Sequence, residues 1–121
     1  MKFPSSLLLW IALLMSSGKL MSADLSDLSY SVKYGSVIIT DCKTTAAGEL
    51  EIPALIGEVP VTKIGSAAFR GCSNLTSIVI PDGVTTIGDE SFYSCSLLAA
   101  ITVPDGVISI GESAFRYCNS L

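Results

Sequence analysis

The sequence repeats itself with a 23-residue period through its C-terminal half. The stretch LTSIVIPDGVTTIGDESFYSC begins at Leu75, and LAAITVPDGVISIGESAFRYC begins at Leu98. An upstream copy has Ile-Pro at residues 52–53 and Ile-Gly at residues 64–65, a wider spacing than in the other copies, which indicates a five-residue insertion. A fixed period of this length means that equivalent units stack, each burying its apolar face against its neighbours.

Each unit predicts one coil made of a short strand, a turn and a short helical segment. In LTSIVI the first, fourth and sixth residues are apolar and β-branched residues are dense, which favours a strand. The following proline ends the strand, because proline cannot donate to a further ladder hydrogen bond. In GDESFYSC, Asp89 and Glu90 stand where acids favour a helix N-terminus, and Phe92 and Cys95 would share the buried face of the same turn.

These residues carry a resemblance to a known family. The segments IGSAAFRGCSNL and IGESAFRYCNSL resemble the BspA-like subclass of bacterial leucine-rich repeats, whose units read L-x-x-I-x-I-P-x-x-V-x-x-I-G-x-x-A-F-x-x-C. The resemblance covers residues 50–121, and Ser91 stands where the family usually has alanine. It implies an α/β leucine-rich-repeat solenoid with short parallel strands on its concave side and short helical turns. It also implies an extracytoplasmic surface protein used in adhesion or recognition.

Residues 24–49 precede the repeats and predict a small β-hairpin cap. Tyr30, Val32 and Tyr34 alternate with polar residues, and Gly35 offers a turn before a second strand. Such a hairpin would cover the apolar row that a first unit exposes. No equivalent cap follows the last unit, and the repeat motif is incomplete at the final residue. We therefore expect self-association through this uncapped unit.

Residues 1–23 indicate an export signal. Lys2 supplies a short positive region, and the apolar stretch LLLWIALLM is too short to span a bilayer. Cleavage after Ala23 is the first choice and cleavage after Gly18 the alternative, while an uncleaved membrane anchor remains a third interpretation. The signal predicts a secreted or cell-surface protein that contacts the membrane only during export.

Composition argues against several function classes. The net charge of −4 lacks the clustered basic residues that nucleic-acid binding needs. The chain has no histidine, no G-x-S-x-G segment and no phosphate-binding loop, so we expect no enzymatic activity and no cofactor. The acidic pairs Asp82 with Asp105 and Asp89 with Glu112 would stack one coil apart. They could bind a cation weakly, but solvated edge positions and helix-start acids explain them more simply, and we predict no metal site.

The four cysteines allow two interpretations. Cys72, Cys95 and Cys118 hold equivalent places in successive units, where parallel side-chain directions suit a disulfide poorly. We expect buried free thiols that act as small apolar side chains. An even number of cysteines in an exported chain also suggests disulfides, but three stacked thiols leave one unpaired unless Cys42 reaches one of them.

The unrepeated positions are candidates for a partner-binding surface, because the repeated ones specify packing. The candidates lie on the outward face of the concave sheet and on an edge column rich in arginine and tyrosine, which are enriched at binding hot spots. They are Arg70, Thr76, Ser77, Val79, Tyr93, Thr102, Arg116 and Tyr117. The sequence thus predicts a non-catalytic module that binds a protein or host-surface ligand. The alternative is a structural fragment of a longer repeat array with no binding role of its own.

Overall fold

A computed structural model describes residues 22–121. This part of the chain begins with a 3-10 helix, Leu25–Asp27, whose N-cap Asp24 accepts a hydrogen bond from the Ser26 backbone N–H at 2.8 Å. Nine strands follow in chain order: β1 (Leu28–Lys33), β2 (Ser36–Cys42), β3 (Gly48–Glu51), β4 (Leu55–Ile56), β5 (Val59–Ile64), β6 (Leu75–Val79), β7 (Thr86–Ile87), β8 (Ala100–Thr102) and β9 (Ser109–Ile110).

Each repeat unit gives one strand to each of two sheets. Unit 1 (residues 47–74) contributes β3 and β5, unit 2 (residues 75–97) contributes β6 and β7, and unit 3 (residues 98–121) contributes β8 and β9. One sheet has the order β3-β6-β8 and the other β1-β2-β5-β7-β9, with β4 paired to β5. Strands from successive units pair in parallel. The predicted solenoid of stacked coils with parallel strands is confirmed.

The five-residue insertion of unit 1 forms a hairpin at the side of the solenoid. β4 pairs antiparallel with the start of β5, in the register Leu55 with Pro60 and Ile56 with Val59. Gly57 and Glu58 both have positive φ, 57° and 68°, as a two-residue turn of type I′ requires. Because the hairpin closes on itself, the remainder of β5 keeps its repeat register.

A second hairpin lies at the N-terminal end of the larger sheet. β1 and β2 pair antiparallel, and β2 pairs in parallel with β5. Val37 and Ile39 of β2 are fully buried, whereas Tyr30 and Val32 of β1 are about half exposed. An irregularity between Ser29 and Tyr30 shifts the register, so the alternating residues of β1 face away from the core. The inward strand is thus β2, and the role of this hairpin as a cap stays a prediction.

The helical turns expected after each Ile-Gly pair are not observed. Within the described range these segments are successive tight turns, and their backbone N–H groups alternate between two kinds of acceptor. The Arg70 N–H, for example, donates to the Ala67 carbonyl within the same turn, whereas the Phe69 N–H donates to the Ser91 carbonyl of the next unit at 2.7 Å. Left-handed residues such as Ala67 (φ 58°) turn the chain so that alternate peptides face the neighbouring coil. Coil-to-coil hydrogen bonds therefore replace helical ones.

The core is a set of ladders that run from unit to unit. The rings of Phe69 and Phe92 are stacked with centroids 5.0 Å apart, and those of Phe92 and Phe115 with centroids 5.3 Å apart. Backbones approach closely beside these rings, since a Cβ atom added to Gly88 would lie 2.7 Å from the Ser66 nitrogen. The inward positions predicted from the repeat are buried in units 1 and 2, Val84 and Phe92 among them, whereas Val103 and Ile110 of unit 3 are 36% and 52% exposed.

Most of the predicted export signal lies outside the described residues, which begin at Ser22. Ala23, the favoured cleavage position, is nearly buried and belongs to the described core. In residues 22–121 no helix has the length and apolarity needed to cross a membrane.

Candidate partner-binding surfaces

Four of the eight candidate residues form one continuous row, here called the Arg–Tyr edge (Arg70, Tyr93, Arg116 and Tyr117), in which Tyr93 is half-buried and the other three are exposed. The Arg70 guanidinium lies 4.7 Å from the centroid of the Tyr93 ring. The Tyr93 and Tyr117 rings meet edge to face with centroids 5.2 Å apart, and the Arg116 guanidinium lies 5.0 Å from the Tyr117 ring. These distances suit cation–π and aromatic contacts. The row links side chains from all three units.

The turn segments fix the position of this edge. Arg70, Tyr93 and Arg116 recur with the period of the repeat and occupy the same place in successive units. The Gly71 N–H donates to the Tyr93 carbonyl at 2.8 Å, and the Ser94 N–H donates to the Arg116 carbonyl at 2.8 Å. The stacking of the row is thus set by backbone hydrogen bonds between coils.

A left-handed backbone position accompanies the edge in every unit. Gly71, Ser94 and Tyr117 have φ values of 76°, 61° and 62°. Glycine adopts this region freely, whereas a large aromatic residue such as tyrosine adopts it rarely and at a cost in energy. In the sequence, Gly71 is the signal that could have indicated this conformation. Because the same conformation recurs at this place in every unit, the repeat imposes it on Tyr117.

The charges of the edge are only partly paired. Arg70 forms a salt bridge with Glu90, in which both side chains are substantially exposed. The sequence pattern around Glu90 indicates a helix start and gives no sign of this contact. Arg116 has no carboxylate within salt-bridge distance among residues 22–121. The positive charge of Arg116 is therefore available to an acidic group from outside this part of the chain.

The other four candidates lie on the three-stranded sheet, here called the sheet surface (Thr76, Ser77, Val79 and Thr102). Val79 of β6 is paired with Thr102 of β8. Thr76, Val79 and Thr102 are exposed and Ser77 is half-buried, as their outward assignment requires. The side chains are small and uncharged. The eight candidates thus divide into two groups on different segments of each unit.

The acidic positions have a structural role at the turns. The Asp89 carboxylate accepts a hydrogen bond from the Glu112 backbone N–H at 2.8 Å, which joins units 2 and 3. A shallow depression beside it is lined by Ser66, Ala67, Asp89, Glu90, Glu112 and Ser113. In the described range no three cysteine or acidic side chains are grouped so that they could hold a metal ion.

The cysteines follow the coil ladder. All four are free thiols in the structure; Cys42, Cys72 and Cys95 are buried and Cys118 is half-buried. The Cys95 thiol donates to the Phe69 carbonyl at 3.1 Å, and the Cys118 thiol donates to the Phe92 carbonyl at 3.0 Å. Burial raises the pKa of Cys95 to about 12 and also raises the pKa of Cys118. These two thiols are accordingly poor nucleophiles at neutral pH.

The remaining two thiols lie together at the junction of β2 and unit 1. The Cys72 Sγ atom lies 3.7 Å from the Cys42 carbonyl oxygen and 3.8 Å from that of Lys43. A hydrogen bond with Cys72, together with burial, raises the pKa of Cys42. The same hydrogen bond lowers the pKa of Cys72. Cys42 and Cys72 are thus neighbours, but both are free thiols in the structure.

Comparison with known proteins identifies the family. Residues 47–121 match the family model described as "BspA type Leucine rich repeat region (6 copies)". A search of curated proteins found no match. Several bacterial leucine-rich repeat proteins of known structure are similar over most of the chain, and three of them are described next.

The first is the T. pallidum leucine-rich repeat protein TpLRR, with 30% identity and a TM-score of 0.76 over 83% of this chain and 47% of that one. A leucine-rich repeat protein from Bacteroides capillosus ATCC 29799 has 30% identity and a TM-score of 0.73 over 80% of this chain and 75% of that one. A leucine-rich cell surface protein from Faecalibacterium prausnitzii A2-165 has 33% identity and a TM-score of 0.67 over 78% of this chain and 27% of that one. The chain spans less than half the length of the T. pallidum protein. This chain belongs to the BspA-type leucine-rich repeat family.

Proposed function

We propose that this chain is a non-catalytic module that binds a protein partner outside the cytoplasm through its Arg–Tyr edge. Leucine-rich repeats in general mediate protein–protein interaction, and the chain matches such a repeat family over residues 47–121. Two further points support an extracytoplasmic location. The first residues have the pattern of an export signal, and the similar F. prausnitzii protein is described as a cell surface protein. Adhesion at the cell surface is the role that best fits these points together.

The Arg–Tyr edge carries the proposal. Tyr93 and Tyr117 offer large, amphipathic ring surfaces that lose little conformational freedom on binding. The planar guanidinium of Arg116 adds N–H donors whose geometry matches the two oxygens of a carboxylate. A protein surface with a carboxylate next to apolar side chains would complement this row. The sheet surface offers only small neutral side chains, so we assign it a peripheral role.

Photo-crosslinking can test the proposal while the partner is still unidentified. A benzophenone amino acid replaces Tyr117 in one version of the full chain and Thr102 in another, which serves as the matched control on the sheet surface. Each version is incubated with intact cells of the producing organism and irradiated, and the adducts are identified by mass spectrometry. We expect one recurring protein adduct from position 117. Excess unlabelled wild-type chain should abolish it, whereas the Arg116→Gln chain should compete far less.

Other outcomes would contradict specific parts of the proposal. A competed adduct from position 102 alone would transfer the binding role to the sheet surface. The absence of any competed adduct at both positions would favour the alternative, a structural part of a longer array with no binding role. Protease added to intact cells tests the location separately, since a chain that resists digestion until the cells are lysed is not exposed at the surface.

A further inference from the structure

Two thiols lie together where the N-terminal hairpin meets the first repeat unit, here called the thiol pair (Cys42 and Cys72). Cys42 is the last residue of β2, and Cys72 ends the turn segment of unit 1. Their sulfur atoms lie 3.7 and 3.8 Å from the same atom, the Lys43 carbonyl oxygen, and a hydrogen bond joins the two thiols. Both side chains are buried. The two sulfur atoms are thus in contact within one closed part of the core.

The thiol pair departs from the pattern of the other repeat cysteines. The thiols of Cys95 and Cys118 lie 3.1 and 3.0 Å from the carbonyl oxygen of a phenylalanine in the preceding unit. Cys72 has no such phenylalanine before it, because Ala46 stands one period before Phe69. Its thiol instead has two carbonyl oxygens at the longer distances of 3.7 and 3.8 Å. In unit 1 a second thiol and two weaker acceptors therefore replace the acceptor that the repeat supplies in units 2 and 3.

We propose that Cys42 and Cys72 form a disulfide in the exported protein and that this bridge fastens the N-terminal hairpin to unit 1. The two sulfur atoms are already in contact, so side-chain rotation can bring them to the bonding distance of about 2 Å. Disulfides form and persist outside the cytoplasm. Cys95 and Cys118 remain free thiols, because each already has a carbonyl acceptor and their parallel directions in the stack suit a bridge poorly.

The oxidant is a low-molecular-weight disulfide, which accepts two electrons by thiol–disulfide exchange. One protein thiol loses its proton and attacks a sulfur of the small disulfide, so that a mixed disulfide forms and one small thiolate leaves. The second protein thiol then loses its proton and attacks the sulfur of the first, which releases the other small thiolate. The two protons end on the two small thiols. Because the pair is buried in the folded protein, the exchange takes place before β2 has packed against unit 1.

The bridge acts at the point where the hairpin and the repeats join. It closes a loop that contains the whole of β3, β4 and β5, and such a cross-link stabilises a protein by restricting its unfolded chain. Otherwise the strand pairing between β2 and unit 1 is a short parallel ladder with β5 that has an irregularity of register. The inference uses the proposed extracytoplasmic location only as the source of the oxidant, and it does not depend on the Arg–Tyr edge.

Refolding under defined redox conditions tests the inference with the oxidant supplied, so the result is independent of where the protein resides. The full chain is unfolded with its thiols reduced and is refolded in a mixture of reduced and oxidised glutathione. Remaining thiols are alkylated after denaturation, and digestion with trypsin and chymotrypsin separates Cys72 from Cys95 by cleavage at the aromatic residues between them. Mass spectrometry should find one disulfide, from Cys42 to Cys72, with Cys95 and Cys118 alkylated.

The bridge should also raise the melting temperature by about 10 °C relative to the reduced protein. Cys118→Ala is the matched control and should keep both the bridge and this rise, whereas Cys42→Ala should lose both. Four alkylated cysteines in protein that has refolded, as judged by circular dichroism, would overturn the proposal. A wild-type disulfide from Cys72 to Cys95 would also overturn it, because the repeat thiols would then pair with one another. A bridge that left the melting temperature unchanged would refute the fastening role.

Discussion

Replacing Phe92 with alanine should destabilise the protein more than any exposed substitution, for reasons that can be worked from the aromatic ladder. Phe92 is fully buried, with the rings of Phe69 and Phe115 stacked on its two sides at 5.0 and 5.3 Å. A buried Phe→Ala change costs about 3–5 kcal/mol through lost burial and the cavity left behind. Two stacked ring pairs place this site at the upper end of that range. For a chain of this size each kcal/mol lowers the melting temperature by about 4–8 °C, so a fall of roughly 20 °C or more is expected.

Two matched substitutions make the prediction specific. Phe115 has a described phenylalanine neighbour on one side and is only partly buried, so Phe115→Ala should cost about half as much. Thr76 is exposed on β6, and Thr76→Ala should change stability by no more than about 0.5 kcal/mol. Circular-dichroism melts and urea unfolding of the three variants measure the series. Equal melting temperatures for Phe92→Ala and Thr76→Ala would refute the inward and outward assignments, and equal losses at Phe92 and Phe115 would refute the ladder argument.

Three further predictions concern the backbone and the thiols. Gly88→Ala should lower the free energy of unfolding by at least about 2 kcal/mol, since the added Cβ would lie 2.7 Å from a backbone nitrogen. Gly106→Ala is the control: its Cβ would lie 3.5 Å from the nearest atom, so the same urea titration should show almost no change in stability. The pKa of Cys95 in the folded protein is raised to about 12, so the stability that its neutral thiol contributes is complete below pH 9 and is lost as the pH rises toward 12. Between these pH values the free energy of unfolding should therefore fall more steeply with pH in the wild type than in Cys95→Ala. The difference in slope should stay below the one-proton limit of about 1.4 kcal/mol per pH unit, because hydration screens the thiolate. Cys118, half-buried in unit 3, should be alkylated before Cys95 when mass spectrometry follows the native protein with time, and the reverse order would contradict the ladder.

The parts of the fold that depend on the period could be predicted from the sequence. A 23-residue offset assigns every residue a counterpart, so the inward positions such as Val84 and Ile87 follow from their repeated apolar character alone. The same offset predicts that Arg70, Tyr93 and Arg116 lie in one column, and in the structure Arg70 packs against the Tyr93 ring of the next unit. These predictions needed no three-dimensional information beyond the fact of stacking.

The conformation of the turn segments could not be predicted in this way. Acidic residues before Phe92 favour a helix start, and a helix would satisfy the local N–H groups within the segment. The observed turns instead donate alternate N–H groups to the next unit, so that the acceptor lies almost a full repeat further along the chain, as from Phe92 to Ala114. Local sequence patterns do not indicate an acceptor so far along the chain. The contact between Tyr93 and Tyr117 could not be predicted either, because it depends on the left-handed backbone at Ser94 and Tyr117.

The alternating hydrogen bonds also connect stability with the proposed binding role. The Arg–Tyr edge takes Arg70 from unit 1, Tyr93 from unit 2 and Arg116 with Tyr117 from unit 3, so no single unit contains the whole row. Its geometry exists only while the units remain stacked at the spacing that their turn hydrogen bonds impose. A change that forces two coils apart, such as Gly88→Ala, should therefore weaken partner binding without touching any edge side chain.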